Sequence, residues 1–284
     1  MVGNILIVIL VTFDPHLHTP MYFFLGNLSC LETCYSSAIL PRMLASFLSG
    51  DRTISVSACL AQLYLFGVLA GTECYFLAVM SYDRYLAICK PLHYVLLMNG
   101  RMCILLIAVS WICGSLGISV LIFLVSRLTF CGPNEINHFF CDFTPLVMLS
   151  CDDTNLVEAI AFTVSFICTL PPLLITLTSY VCIIHSILRI PSTIGKQKAF
   201  STCSSHLTVV SCFYGSLMIV YVLPDISSLS EVKKLFSVFY TLLTPLLNPL
   251  IYSLRNKEVK EAVRKSFGKL QKLKIQKRRR KRKL

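Results

Sequence analysis

Charged residues are scarce in this chain. Only 14% of its 284 residues are Asp, Glu, Lys or Arg, whereas a soluble domain carries about a quarter. Four long stretches contain no charged residue at all: residues 102–126, 159–188, 199–224 and 235–254. Each is long enough to cross a hydrocarbon core of about 30 Å as a helix, so the shortage of charge excludes an ordinary soluble domain. The period-two alternation of a membrane β-barrel is also missing, which leaves membrane helices.

Three further apolar segments are interrupted or short. Residues 21–48 and 53–82 are apolar apart from one or two charged residues each, among them Glu32 and Glu73. Residues 2–13 are apolar throughout, but a helix of this length rises only about 18 Å. The sequence therefore predicts six complete spans and one partial span at the N-terminus. A cleaved signal peptide is the alternative interpretation of that start, although a basic leading region and a small-residue cleavage site are missing.

The distribution of basic residues predicts the orientation. Lys and Arg predominate in residues 84–101 and 189–198, and 15 of the 26 Lys and Arg residues follow Tyr252. Residues 127–158 carry mainly Asp and Glu. Because loops rich in Lys and Arg stay on the cytoplasmic side, the N-terminus is expected outside and the C-terminus in the cytoplasm.

Cysteine is abundant, with 14 residues. Most lie within predicted spans, where they act as small buried hydrophobic residues. Cys131, Cys141 and Cys151 fall in the predicted outer loop and Cys59 near the outer end of the third span, in an oxidising compartment. Four cysteines allow three pairings, and their spacing does not choose among them.

Besides Arg42, two charged residues lie within the predicted spans and two lie at the inner end of the third span. Asp83 and Arg84 are neighbours at the inner end of the third span, either as an ordinary helix end in water or as an ion pair that serves as a two-state switch. Glu32 and Glu73 lie midway along the second and third spans, where acids are costly and face the bundle interior. We hypothesise that these two carboxylates meet and share a cation or a proton.

Several motifs, in a fixed order, carry a family resemblance. They are "LHTPMYFFLGNLSCLE" (17–32), "MSYDRYLAICKPLHY" (80–94), "FCGPNEINHFFCD" with "SCDD" (130–153), "KAFSTCSSHLTVV" (198–210), "FYG" (213–215) and "PLLNPLIYSLRNKEV" (245–259). With these motifs the chain resembles an olfactory (odorant) receptor, a rhodopsin-like G-protein-coupled receptor, over nearly its whole length. The resemblance implies an all-α fold, a seven-transmembrane helix bundle followed by a short amphipathic cytoplasmic helix.

The resemblance also assigns roles to individual residues. It implies an activation and G-protein-coupling switch formed by Asp83, Arg84, Tyr85, Tyr180, His206, Asn248, Pro249 and Tyr252. It implies disulfides between Cys59 and Cys141 and between Cys131 and Cys151, while pairing of Cys59 with Cys151 stays open. A plain interfacial histidine is the alternative interpretation of His206.

The ligand is expected between the outer halves of the helices, because small-molecule sites in helix bundles lie there and are mostly apolar. The predicted lining residues come from spans three, five, six and seven: Phe66, Gly67, Ala70, Gly71, Val164, Ser165, Cys168, Tyr214, Leu217, Met218, Tyr221, Val238 and Thr241. This set contains no carboxylate for an amine and no cation for an acid. It therefore predicts a neutral, volatile, largely apolar ligand whose one oxygen is bound by Tyr221, Ser165 or Thr241.

The two ends of the chain depart from the family pattern. Residues 255–270 have the spacing of an amphipathic helix on the inner leaflet, and the basic cluster after it would attract anionic lipid. A nucleic-acid patch, which seven spans argue against, and a retention signal of the endoplasmic reticulum are the alternatives. At the other end, Asn4 matches the asparagine of the family's first span, so that span is expected to be shortened. Glu32 stands where the family usually has Asp.

These observations predict an odorant-activated receptor at the plasma membrane that activates a stimulatory G protein and raises cyclic AMP. Residues 1–254 would form the receptor domain and residues 255–284 the cytoplasmic helix and basic tail. No enzymatic activity, cofactor, metal or nucleic acid is expected, since hydrolase motifs, metal-ligand spacings and the internal repeats of a transporter are missing. The alternative is a truncated, poorly trafficked receptor remnant without signalling activity.

Overall fold

The structure is a computed structural model that describes residues 1–131, 134–221, 230–255 and 259–264. Its regular secondary structure in these ranges is helical, apart from one isolated bridge between Phe130 and Ser150. The longer helices are α1 (Val2–Phe13), α2 (Pro20–Ser49), α3 (Val56–Cys89), α4 (Pro91–Leu97), α5 (Gly100–Val125), α6 (Phe143–Val147), α7 (Asn155–Leu188), α8 (Thr193–Tyr221), α9 (Ser230–Val238) and α10 (Thr244–Arg255). A 3₁₀ turn covers Pro15–Leu17, and a π-helical stretch, Phe239–Leu243, joins α9 to α10.

Within the described ranges, seven helical segments form the bundle: α1, α2, α3, α5, α7, α8 and the continuous α9–α10 segment. Three of these helices, α3, α5 and α7, are long and apolar enough to cross a membrane by length and composition alone. Two shorter apolar helices, Val2–Phe13 and the His206–Tyr221 part of α8, accompany them. The predicted seven-helix bundle is therefore confirmed.

The helix ends follow local sequence signals. Ser55 precedes α3, and its hydroxyl accepts a hydrogen bond from the Ala58 N–H, while Asn99 caps α5 through the Met102 N–H. Gly50 ends α2 with φ of 70°, a left-handed conformation that glycine adopts without a steric penalty. Helix α3 continues beyond the predicted span, through Asp83 and Arg84 to Cys89, because its last turns are still covered by other helices.

Helix α3 lies at the centre of the bundle and packs against α2, α5 and α7. Its close approach to α5 depends on glycine. An ideal Cβ placed on Gly114 would lie 2.5 Å from the backbone N of Thr72, and a Cβ on Gly71 would lie 3.2 Å from the Gly114 Cα. Small residues at such a crossing let two membrane helices pack backbone to backbone.

The last bundle segment departs from a regular α-helix next to its prolines. Pro245 and Pro249 are inside α10 and cannot donate the backbone hydrogen bond of a regular helix, and the π-helical stretch Phe239–Leu243 directly precedes them. Residues 259–264 are helical again. The remainder of the predicted amphipathic helix, residues 256–258 and 265–270, and the basic tail 271–284 lie outside the described residues.

The outer loop between α5 and α7 lies over the bundle. The structure joins Cys59 of α3 to Cys141 and joins Cys131 to Cys151 within the loop, with Cα–Cα distances of 5.4 and 6.0 Å. Beneath the loop a buried apolar cluster forms between it and the outer ends of three helices: Cys59, Leu63, Val125, Cys141, Leu146, Val147 and Val157. The loop is thus held against α3, α5 and α7.

Candidate functional site

A cavity of about 320 Å³ lies between α3, α5, α7 and α8, under the outer loop. Its wall is mainly apolar and is formed by these residues: Leu63, Phe66, Gly67, Ala70, Gly71, Cys74, Ile118, Leu121, Ile122, Val125, Asp142, Phe143, Ala161, Phe162, Val164, Ser165, Phe166, Cys168, Thr169, Leu170, Leu173, Leu217, Met218 and Tyr221. This volume lies at the small end of small-molecule pockets, and the apolar wall with a few polar groups is typical of them.

Ten of the predicted ligand residues line this cavity: Phe66, Gly67, Ala70, Gly71, Val164, Ser165, Cys168, Leu217, Met218 and Tyr221. Three do not. The Tyr214 hydroxyl donates to the Cys74 carbonyl at 2.8 Å, and the Thr241 hydroxyl donates to the Ser237 carbonyl of its own helix at 2.6 Å. Val238 is also absent from the wall, and none of the described residues of the seventh bundle segment lines the cavity.

The ligand site predicted from the sequence included no residue of α5. Helix α5 contributes Ile118, Leu121, Ile122 and Val125 to the wall. A sequence signal existed, because Gly114 and Gly117 lie one turn apart on this helix. An ideal Cβ on Gly117 would meet the Val164 side chain of α7 at 2.6 Å, so these glycines mark the face of α5 that packs inward.

The prediction of a cavity without a carboxylate is wrong, because Asp142 of the outer loop lines it. Asp142 is only 5% exposed. Its Oδ1 accepts hydrogen bonds from the Phe143 N–H at 2.8 Å and from the Tyr221 hydroxyl at 3.2 Å. Asp142 directly follows Cys141, which the disulfide to Cys59 holds over the bundle. The position of Cys141 in the sequence was therefore the signal that Asp142 lies near the cavity.

Burial also changes the pKa values of Asp142 and of the nearby His138. Burial raises the pKa of Asp142, and the nearby His138 and the hydrogen bonds from Phe143 and Tyr221 oppose that shift without cancelling it. Burial lowers the pKa of His138, against the attraction of Asp142. The Tyr221 hydroxyl also lies 2.8 Å from the Tyr240 hydroxyl, which links the outer loop to α8 and to the last bundle segment.

At the other end of α3, Asp83 and Arg84 form an ion pair, with Arg84 Nε 3.0 Å from Asp83 Oδ2. Asp83 is 1% exposed, so it is not an ordinary solvated helix end. The Tyr94 hydroxyl of α4 donates to Asp83 Oδ1 at 2.8 Å. Tyr94 ends the "MSYDRYLAICKPLHY" motif, yet sequence reasoning gave it no role.

The other inner switch residues gather nearby. The Tyr180 hydroxyl of α7 lies 2.5 Å from His206 Nδ1 of α8, in a buried contact, and His206 is close enough to Arg84 for an electrostatic interaction. Tyr85 packs on the buried cluster that contains Tyr180. The structure therefore brings together residues of α3, α7 and α8 that the family resemblance had assigned to one region.

Glu32 and Glu73 are both buried in the bundle, 1% and 2% exposed, and lie close enough to interact electrostatically. The Asn248 side chain donates to Glu32 Oε1, and Glu73 Oε1 is buried with no partner among the described residues. Asn4 lies near Glu32, and its side-chain amide donates to the Pro245 carbonyl at 3.1 Å. This cluster joins α1, α2, α3 and α10.

Two further predicted switch residues, Pro249 and Tyr252, belong to the same helix as Asn248. Pro249 lies in α10 directly after Asn248, and the side chain of Tyr252 lies outside the described residues. Among the residues that the structure describes, no group of three or more His, Cys, Asp or Glu could hold a metal ion.

Comparisons with known proteins agree with this geometry. The family model described as olfactory receptor matches residues 1–270. Human olfactory receptor 11L1 is 52% identical over 264 residues, which cover 93% of this chain and 82% of the relative. Human olfactory receptor 6N1 is 50% identical over 94% of this chain and 86% of its own length, and rat olfactory receptor 226 is 48% identical over 93% and 82%. The crystal structure of squid rhodopsin superposes with a TM-score of 0.75 over 93% of this chain and 76% of that chain, at 21% identity, which shows a common fold.

Proposed function

The chain belongs to the olfactory receptor family of G-protein-coupled receptors, and on this premise we propose that it is activated by a small, largely apolar odorant bound in the cavity. Binding would activate a stimulatory G protein and raise cyclic AMP. As a member of this family the chain is a receptor and not an enzyme, and it is a multi-pass protein of the plasma membrane.

One observation carries the proposal: α3, α7 and α8 each line the cavity and also hold predicted switch residues, and α3 and α8 illustrate this. Helix α3 contributes Phe66 to the cavity and carries Asp83 and Arg84 at its inner end. Helix α8 contributes Tyr221 to the cavity and carries His206 about four turns away, in the middle of the helix. A ligand that favours one arrangement of these two helices would therefore change the contacts of Arg84 as well.

The cavity supports an odorant of modest size. Apolar side chains dominate its wall, so burial of a hydrocarbon ligand is the main source of binding free energy there. The Ser165, Thr169 and Tyr221 hydroxyls and the Asp142 carboxyl are the polar groups available to a ligand. This composition supports a ligand with one hydrogen-bonding group.

The inner face supports coupling to a protein partner. Helix α4 exposes four large apolar side chains, Leu92, Val95, Leu96 and Leu97, with Leu92 93% exposed. The first of them lies eight residues after Arg84 of the ion pair. We propose that this face contacts the G protein, because exposed apolar side chains beside a switch indicate an interaction surface.

The distribution of Lys and Arg supports an outside N-terminus and a cytoplasmic C-terminus. On this orientation residues 1–254 form the receptor domain, and residues 255–284 form a cytoplasmic segment whose basic cluster binds anionic lipid. The Cys59–Cys141 and Cys131–Cys151 disulfides hold the outer loop over the cavity.

The test measures surface expression and cyclic AMP in the same cells, which also carry an olfactory-type stimulatory G protein. A panel of alcohols, ketones, esters, amines and acids is applied to the native chain and to Arg84→Ala. We expect an odorant-evoked rise in cyclic AMP that Arg84→Ala abolishes at equal surface level. A surface-expressed native chain that stays silent to the whole panel would contradict the proposal.

A further inference from the structure

Among the described residues that line the cavity, Asp142 is the one with a carboxyl group. One oxygen of that carboxyl group is available to a ligand. Both hydrogen bonds that the structure shows for the Asp142 side chain end on Oδ1. Among the described residues, none donates a hydrogen bond to Oδ2. The Asp142 side chain borders the cavity, so a bound ligand can supply that missing donor.

We propose that Asp142 Oδ2 selects odorants that donate a hydrogen bond, which are alcohols and protonated amines, over odorants that only accept one. The inference rests on the proposed function and adds a specificity-determining residue to it. It replaces the expectation of a ligand oxygen bound by Tyr221, Ser165 or Thr241.

The chemistry of the buried carboxyl supports this selectivity. A carboxylate only accepts hydrogen bonds, so a hydroxyl or ammonium group satisfies it and a carbonyl or ether oxygen does not. Placing a carbonyl oxygen against a buried carboxylate brings two partial negative charges together without water between them. An ammonium group forms the most favourable contact, because its positive charge also compensates the negative charge of the carboxylate.

Tyr221 does not offer a comparable anchor. Its hydroxyl lies within hydrogen-bond distance of both Asp142 Oδ1 and the Tyr240 hydroxyl. A ligand would have to break one of these contacts to bind Tyr221, whereas Asp142 Oδ2 accepts without breaking any described contact. The Phe143 N–H also donates to Asp142 Oδ1 at 2.8 Å, so the Asp142 carboxyl group keeps one orienting hydrogen bond without the Tyr221 hydroxyl.

The two hydrogen bonds to Asp142 Oδ1 predict the effect of the isosteric substitution Asp142→Asn. In Asp142→Asn the amide oxygen is expected at the Oδ1 position, where it keeps the bonds from the Phe143 N–H and the Tyr221 hydroxyl. The amide nitrogen then takes the Oδ2 position and points a donor at the ligand. The preference of the cavity is expected to change from donors to acceptors.

The experiment measures the half-maximal concentrations of octanol, octylamine, octanal and octanoic acid, with shorter and longer chains of each class, in the cyclic AMP assay. For the native chain we expect octanol and octylamine to act at concentrations at least about tenfold below that of octanal, with octanoic acid weakest. Asp142→Asn should reduce that ratio to about one or invert it, since one charge-assisted hydrogen bond accounts for a factor of this size.

Two further variants control the result at matched surface level. Asp153→Asn removes an exposed carboxylate of the same loop, outside the cavity, and should leave the ratio within about twofold. Tyr221→Phe keeps Asp142 in place and should keep the preference for donors. A preference that Tyr221→Phe abolishes and Asp142→Asn leaves intact would overturn the inference, as would a native chain that responds best to octanal.

Failure of the inference is distinguishable from failure of the proposed function. A receptor that signals but does not discriminate donors from acceptors retains the proposed function and overturns the role of Asp142. A surface-expressed receptor that is silent to every class overturns the proposed function and, with it, the premise of the inference.

Discussion

Tyr94→Phe is the most direct perturbation of the proposed inner switch. The Tyr94 hydroxyl donates a 2.8 Å hydrogen bond to Asp83 Oδ1, while Arg84 pairs with Oδ2 of the same carboxylate. Burial, with the nearby Asp83 adding to it, raises the pKa of Tyr94, so the hydroxyl stays protonated and available as a donor. The substitution removes one oxygen atom and leaves the ring and its packing in place.

The expected magnitude follows from the charge of the acceptor, Asp83, and from the partial burial of the donor, Tyr94. A hydrogen bond to a charged group contributes about 1.5–3 kcal/mol, and since Tyr94 is only partly buried, the lower end applies. If the bond stabilises the state in which Arg84 is paired, its loss shifts the equilibrium toward the active state roughly tenfold. Basal cyclic AMP per surface receptor should rise by about this factor while the active fraction stays small.

The assay compares basal cyclic AMP with surface receptor, labelled in the same cells, for the native chain and Tyr94→Phe. Tyr82→Phe is the matched control, because Tyr82 lies one residue before Asp83, is exposed, and has no described hydrogen bond from its hydroxyl. An unchanged or lower basal signal in Tyr94→Phe would refute the reasoning, since the bond would then not favour the inactive state.

Two other predictions concern the bundle interior. Gly114→Ala should lower surface expression and thermal stability, because its Cβ would lie 2.5 Å from the Thr72 backbone N, whereas Gly215→Ala, with nothing within 4 Å, should be tolerated. Equal surface levels of the two variants would contradict this explanation of the α3–α5 crossing. Glu73→Gln should weaken the response of basal and evoked signalling to external sodium, if Glu73 and Glu32, two buried carboxyl groups that interact electrostatically, share a cation. Unchanged basal and evoked activity at varied sodium would remove the shared-cation hypothesis.

Much of the fold was predictable because each bundle helix carries its own signal. The charge-free run 102–126 nearly coincides with α5 at Gly100–Val125, and residues 21–48 with α2 at Pro20–Ser49. In a membrane, each apolar run must satisfy its own backbone hydrogen bonds, so composition and length predict helices without knowledge of the neighbours. The inner end of α3 was less predictable, because its helix continues to Cys89 past the charged pair.

The cavity was predictable only in part. The positions on α3, α7 and α8 were found because small-molecule sites in helix bundles lie between the outer halves of the helices. Tyr214 was misplaced, since its hydroxyl bonds the Cys74 carbonyl and not the cavity, and this depends on how α8 is rotated against α3. Spacing within a helix carries no information on that rotation.

By itself, the sequence determined that this chain forms membrane helices, the family to which it belongs, and the local motifs that place charge at Asp83 and Arg84. These are properties of short segments, each set by its own hydrophobicity, caps and glycines. Only the tertiary structure decided that Asp142 enters the cavity, that Tyr94 reaches Asp83, and that Glu32 meets Asn248. These contacts join residues distant along the chain or on different helices, and they depend on how the helices cross and where a disulfide-bound loop lies.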